Sequence, residues 1–101
     1  MVDGIYNVTV KTPIGVNRGS LKLETTADGE RVKASLSLIG MGNLYSNGAL
    51  RDDDEFTMQG NMRMFTFGHF AYNVKGNVEG RKLRAIAETT RGTFSIQGTR
   101  I

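Results

Sequence analysis

A chain of 101 residues with 39% hydrophobic side chains is long enough for one domain with its own core. It has no cysteine, which excludes a disulfide framework, zinc–thiolate sites and a cysteine nucleophile. Net charge is +3, from six basic and six acidic residues in 1–53 and seven and four in 54–101, so a polyanionic partner is allowed but not demanded.

Eight segments alternate apolar and polar residues with period two, the pattern of strands with one buried face. The first, Gly4–Lys11, places Tyr6, Val8 and Val10 in one phase. The second, Gly19–Thr26, offers Leu21 and Leu23. The third, Val32–Ile39, sets Val32, Ala34, Leu36 and Leu38 against Lys33, Ser35 and Ser37. The fourth, Leu44–Arg51, contains Asn47-Gly48, which could form a hairpin turn but is placed mid-strand by its counterpart Gln97-Gly98. Glu55–Met64 aligns Phe56, Met58, Met62 and Met64, and His69–Val78 aligns Phe70, Tyr72, Val74 and Val78. Lys82–Thr89 presents Leu83, Ala85 and Ala87, and Thr93–Ile101 presents Phe94 and Ile96.

The two halves repeat one pattern. Thr12-Pro13-Ile14-Gly15 is answered by Phe65-Thr66-Phe67-Gly68, Val32–Leu36 by Leu83–Ala87, and Leu44–Gly48 by Phe94–Gly98. The expectation is one all-β domain over 1–101, built from a repeat at 4–51 and 55–101. Eight strands with short polar connections leave two exposed edges unless the sheet closes, so an antiparallel up-and-down barrel is predicted. Gly48, Gly60, Gly76 and Gly98 fall in the inward phase, where glycine either bends a strand or leaves lumen unfilled.

Strand parity sorts the connections between the two ends. Ala27–Arg31, Asp52–Asp54 and Glu79–Arg81 join the termini at one end, all charged. Thr12–Arg18, Gly40–Asn43, Phe65–Gly68 and Thr90–Gly92 form the other rim, which carries Ile14, Met41, Phe65 and Phe67 with Lys11, Arg18, His69 and Arg91 around them. An apolar, glycine-rich rim of this kind is expected of a binding surface or portal.

Gly4-Ile5-Tyr6 on the first strand and Arg100 on the last resemble the calycin signature of lipocalins, fatty-acid-binding proteins and avidins. The resemblance implies an aromatic stacked under the arginine at the closed end of a ligand-binding barrel, here Tyr6 under Arg100, with tyrosine in place of the family's tryptophan. The Thr-Pro-Ile-Gly stretch and the closing Arg91–Ile101 stretch resemble small bacterial barrel proteins of unassigned function. Asp3–Tyr6 is similar to the start of a type III secretion regulator barrel that acts by binding another protein.

Little points to catalysis. His69 is the lone histidine and alternation turns it outward, no Gly-x-Ser-x-Gly or His-x-x-Glu-His motif occurs, and no carboxylate falls in an inward phase outside the turns. Asp52-Asp53-Asp54-Glu55 lacks the alternate spacing that wraps calcium. Gly40-Met41-Gly42-Asn43 has no following helix to favour a phosphate. Nucleic-acid binding would need aromatics on an exposed basic face, whereas Phe56, Phe70, Tyr72 and Phe94 share the inward phase with Leu and Met.

The reading is therefore a non-enzymatic barrel that binds a small apolar or amphipathic ligand, anionic ones included, without cofactor or metal. The candidate ligand-binding residues are Met62, Met64, Phe70, Tyr72, Phe94, Ile14, Met41, Phe65, Phe67 and Arg91. An eight-stranded barrel can equally be filled by its own side chains, and that alternative stays open. The other functional reading is a protein-interaction module, as a homodimer or with a partner protein, through the rim or an outer face carrying Ile5, Tyr45 and Ile86. The start of the chain lacks a basic stretch followed by an apolar one and no apolar run reaches the length of a spanning helix, so a cytoplasmic protein is expected.

Overall fold

The computed structural model describes residues 1–39, 42–64 and 68–101, with only the backbone of Met64. Its strands are β1 (Gly4–Thr12), β2 (Gly15–Thr25), β3 (Arg31–Leu38), β4 (Gly42–Asp52), β5 (Glu55–Met64), β6 (Gly68–Glu79), β7 (Lys82–Thr89) and β8 (Gly92–Arg100). They form a closed antiparallel barrel in sequence order, sealed by the β1–β8 ladder from Tyr6↔Arg100 to Lys11↔Ser95.

The alternation expected of the chain is the alternation that folds. Tyr6, Val8 and Val10 of β1, Leu21 and Leu23 of β2, and Leu83, Ala85 and Ala87 of β7 are buried. No polar or charged side chain is fully buried among the described residues. Asn47-Gly48 lies inside β4, opposite Lys33 and Val32.

One connection differs from expectation. β2 starts at Gly15 rather than Gly19, because Val16, Asn17 and Arg18 pair with Lys11, Val10 and Thr9 of β1. Backbone pairing carries these residues, and their side chains give no inward apolar signal: Val16 is 58% exposed. The rim loop drawn over Thr12–Arg18 thus shrinks to a tight turn at Pro13-Ile14. There the Thr12 hydroxyl donates to the Gly15 carbonyl at 2.9 Å and accepts the Ile14 N–H at 3.3 Å.

The same turn recurs at Thr89–Gly92, where the Thr89 hydroxyl donates to the Gly92 carbonyl at 2.6 Å and accepts the Arg91 N–H at 3.0 Å. The two turns abut. A Cβ at Gly92 would lie 2.6 Å from Pro13 Cγ, so the first rim turn rests on the last.

The halves also match across the sheet. Val32, Gly48 and Met58 form one row, and Leu83, Gly98 and Val8 form its counterpart. In each row the missing glycine side chain makes room for the neighbour: a Cβ would stand 2.5 Å from Met58 Cγ at Gly48, and 2.7 Å from Val8 Cγ1 at Gly98. These inward glycines are filled from the next strand rather than left as open lumen.

The terminal end is sealed. Arg100 Cζ lies 5.3 Å from the Tyr6 ring centroid, the stacking that the calycin resemblance implies. Val2 is wholly buried beneath this pair, an N-terminal plug that alternation did not mark. The outermost turn there is tied by the Met1 amino group, which meets Asp54 Oδ1 at 2.8 Å.

Candidate functional site: the rim half of the lumen

Two packed clusters divide the interior. The one at the closed end centres on Val2, Tyr6, Leu23, Val32 and Leu83. The other, nearer the rim, joins Val10, Leu38, Phe70, Ala87 and Phe94, with Leu44, Met62 and Tyr72 partly buried against them. Between and above these clusters lies a cavity of about 100 Å³, walled almost wholly by carbon. The molecule measures 34 × 25 × 19 Å, so its cross-section is flattened.

One wall is aromatic. Phe70 stands 5.8 Å from Phe94 between ring centroids, tilted by 57°, and 6.4 Å from Tyr72, edge-on at 64°. Such offset and edge geometries suit the ring quadrupoles. Met58 and Met62 supply flexible, polarizable side chains to the same cavity.

The structure brings together Met62, Phe70, Tyr72 and Phe94 of the sequence-derived candidates. Ile14 does not join them: it is 66% exposed at the tip of the β1–β2 turn. Arg91 is exposed in the β7–β8 turn, also outside the cavity lining. Met64 is on β5 opposite Gly68, and its side chain lies outside the described set. Met41, Phe65 and Phe67 lie outside the described residues. Lys11 and Arg18 are exposed in the outward phase of β1 and β2, so neither faces the lumen. Among the described residues, no charged one lines the cavity.

Two features of the site are absent from the alternation pattern. The first is a seam. The β4–β5 ladder runs from Asp52↔Glu55 only to Gly48↔Met58, so residues 43–47 and 59–64 face each other without pairing. Every other neighbouring pair continues its ladder well into the rim half: β3–β4 reaches Leu38↔Gly42 and β5–β6 reaches Met64↔Gly68. The inward residues beside the seam, Leu44, Ser46, Met62 and Tyr72, are only partly buried. Tyr45, 70% exposed on the outer side, also borders the cavity, which shows that the cavity reaches the seam.

The second is a hydroxyl pair that spans β5. Tyr72 Oη and Ser46 Oγ lie 2.6 Å apart, joining β6 to β4 across the inner side of β5. Gly60 makes this crossing possible: a Cβ there would sit 3.2 Å from Tyr72 Oη. A β5 residue with a larger inward side chain would occupy the tyrosine's path.

No family model matches the chain, and no curated protein does. Solved structures do. The chain is similar to a redesigned β-barrel, with TM-score 0.68 and 12% identity over 99% of this chain and 91% of that one. It is similar also to a de novo designed fluorescence-activating β-barrel, with TM-score 0.63 and 13% identity over 98% and 93%. A proposed outer membrane protein from Bacteroides fragilis matches with TM-score 0.62 and 13% identity over 98% of this chain and 51% of that one. The likeness is one of fold. The chain spans about half the length of the Bacteroides protein. At these identities the comparison establishes a small eight-stranded antiparallel barrel and says nothing of activity.

Proposed function

We propose that this barrel is a calycin-like binding protein that takes a small apolar or amphipathic molecule into the rim half of its lumen, without catalysis. The observation that supports this reading is the carbon-lined cavity on which Met62, Phe70, Tyr72 and Phe94 converge. A concave space walled by hydrophobic and aromatic side chains is the usual setting of a small-molecule site. The Tyr6–Arg100 stack at the opposite end supports the calycin comparison.

The reading is of a barrel working in water. Membrane-spanning barrels turn apolar residues to lipid and polar ones to the lumen. Here the phase is reversed, with Asn7, Lys22, Glu24, Lys33 and Arg84 outside and Leu, Val, Phe and Met within. The protein-interaction reading draws on exposed Ile5, Tyr45 and Ile86. These stand on β1, β4 and β7 and form no row across a shared ladder, so the lumen is preferred.

Native mass spectrometry of freshly purified protein, with titration by a graded set of apolar probes, tests the proposal. A co-purifying small molecule, or saturable one-to-one binding of any probe that the lumen excludes from water, is expected. A ligand-free dimer that binds none of them would overturn it in favour of the interaction module.

A further inference from the structure

We propose that the rim docks on an anionic lipid surface, with Ile14, Val16 and Ile39 entering the headgroup layer and Lys11, Arg18 and Arg91 meeting its charges. The proposal concerns the outside of the barrel and stands whatever the lumen holds.

Strand pairing interleaves the two kinds of side chain. Val16 on β2 lies directly opposite Lys11 on β1, so the two are neighbours on the outer face. The Ile39 N–H donates to the Arg18 carbonyl at 2.9 Å, which sets Ile39 beside Arg18 just past the end of β3. Ile14 tops the β1–β2 turn, where Pro13 packs against Gly92, the neighbour of Arg91. All six side chains are exposed, Ile39 by 78%.

Charge favours an anionic partner. The chain has 13 Lys and Arg and 10 Asp and Glu, and the rim half of the barrel holds Lys11, Arg18, Arg63 and Arg91 against Glu88 alone. The closed half therefore balances its charges, and the whole net charge of +3 sits at the rim. Among the described residues the ion pairs are Met1–Asp54 and Lys22–Glu24, both in the closed half. The rim cations have no carboxylate at ion-pairing distance.

Shape favours lipid over protein. Protein interfaces take their energy from anchors packed into complementary pockets. Ile14, Val16 and Ile39 line neither the lumen nor the two outer grooves, one centred on β5–β8 and one on β1, β7 and β8. A protein partner would have to supply every pocket, whereas a fluid layer closes around projecting side chains of any shape. Apolar burial and attraction to anionic headgroups then add. A second copy docked rim to rim would set like charges together. The rest of the outer wall is polar and charged, so the barrel would sit on the bilayer rather than cross it.

Flotation of the full chain with lipid vesicles tests the proposal. Binding to mixed phosphatidylcholine–phosphatidylserine vesicles is expected, weakened by concentrated salt and much reduced on phosphatidylcholine alone. Lys11→Gln, Arg18→Gln and Arg91→Gln should each weaken binding about fivefold, the worth of one basic residue near an anionic surface. Ile14→Asn with Ile39→Asn should weaken it roughly tenfold or more, through lost apolar burial. Lys33→Gln with Lys75→Gln and Arg84→Gln, which removes as much charge from the closed half, should change it less than about twofold, since those residues lie beyond a Debye length of the docked rim. Thermal melts report whether each variant is folded. No binding to the anionic vesicles, or an equal loss in the closed-half variant, would overturn the rim assignment. Binding untouched by the isoleucine changes would overturn insertion. A concentration-dependent dimer in sedimentation velocity that those same changes abolish, with no vesicle binding, would give the rim to a second copy instead.

Discussion

Arg100 holds Tyr6 in two ways at once: its guanidinium lies over the ring, and its Nη2 donates to the Tyr6 hydroxyl at 2.8 Å. The same nitrogen donates to the Met1 carbonyl at 2.7 Å, and the Tyr6 hydroxyl passes its own proton toward the Val2 carbonyl at 2.6 Å. One arginine from the last strand thus fixes the first strand and the segment before it. The contact closes the barrel and seats the Val2 plug.

Because the two side chains share this network, their truncations should couple. Tyr6→Phe and Arg100→Met are each expected to cost about 1–3 kcal/mol in urea denaturation, as buried partners are left unpaired. The double variant should cost less than the sum by about 0.5–2 kcal/mol. Strict additivity would show that the stack and the hydrogen bond contribute independently.

Gly76 on β6 is occupied by its neighbour rather than by space. The Phe56 ring lies where a Cβ at position 76 would stand. Gly76→Ala should therefore overpack the core and cost roughly 1–3 kcal/mol. Phe56→Leu, costly by itself, should relieve part of that cost in the double variant, measured by the denaturation midpoint. A Gly76→Ala variant as stable as the parent would mean that the ring moves aside freely.

The interrupted β4–β5 ladder should be visible in amide hydrogen exchange. Amides of residues 43–47 and 59–64 that face the seam lack a strand partner there, and should exchange with small local opening free energies. Amides of β7, paired on both sides along its length, should be protected to nearly the global stability. Uniform protection across β4 and β5 would show the seam closed in solution.

Asp3 makes stability depend on acid. Burial alone would raise its carboxyl, but the Thr25 N–H and hydroxyl donate to it, and the balance holds it below the ordinary 3.8. A depressed folded-state value means that the contribution is present above the unfolded value and lost as pH falls through the folded one. Stability should therefore decline below about pH 4, and Asp3→Asn should flatten that limb of a melting-temperature profile. An unchanged acid limb would assign the decline to other carboxylates.

Much of this protein is readable along the chain. Period-two alternation names the strands and their inward phase from Tyr6 to Ile96, and short polar connections order them as antiparallel neighbours. Of the candidate ligand-binding residues, Met62, Phe70, Tyr72 and Phe94 converge because each sits in the inward phase of a rim-half strand segment. Alternation is a local property, and a side chain's face follows from its own strand. The register between strands does not. Pairing drew Val16–Arg18 into β2 and stopped the β4–β5 ladder at Gly48↔Met58, and closure laid Pro13 against Gly92 and seated Val2 under Arg100. The Ser46–Tyr72 pair needs β4 and β6 on either side of β5 and a glycine on β5 between them. Residues 26 apart in sequence meet only when three consecutive strands lie side by side, so only the tertiary structure could bring these two hydroxyls together.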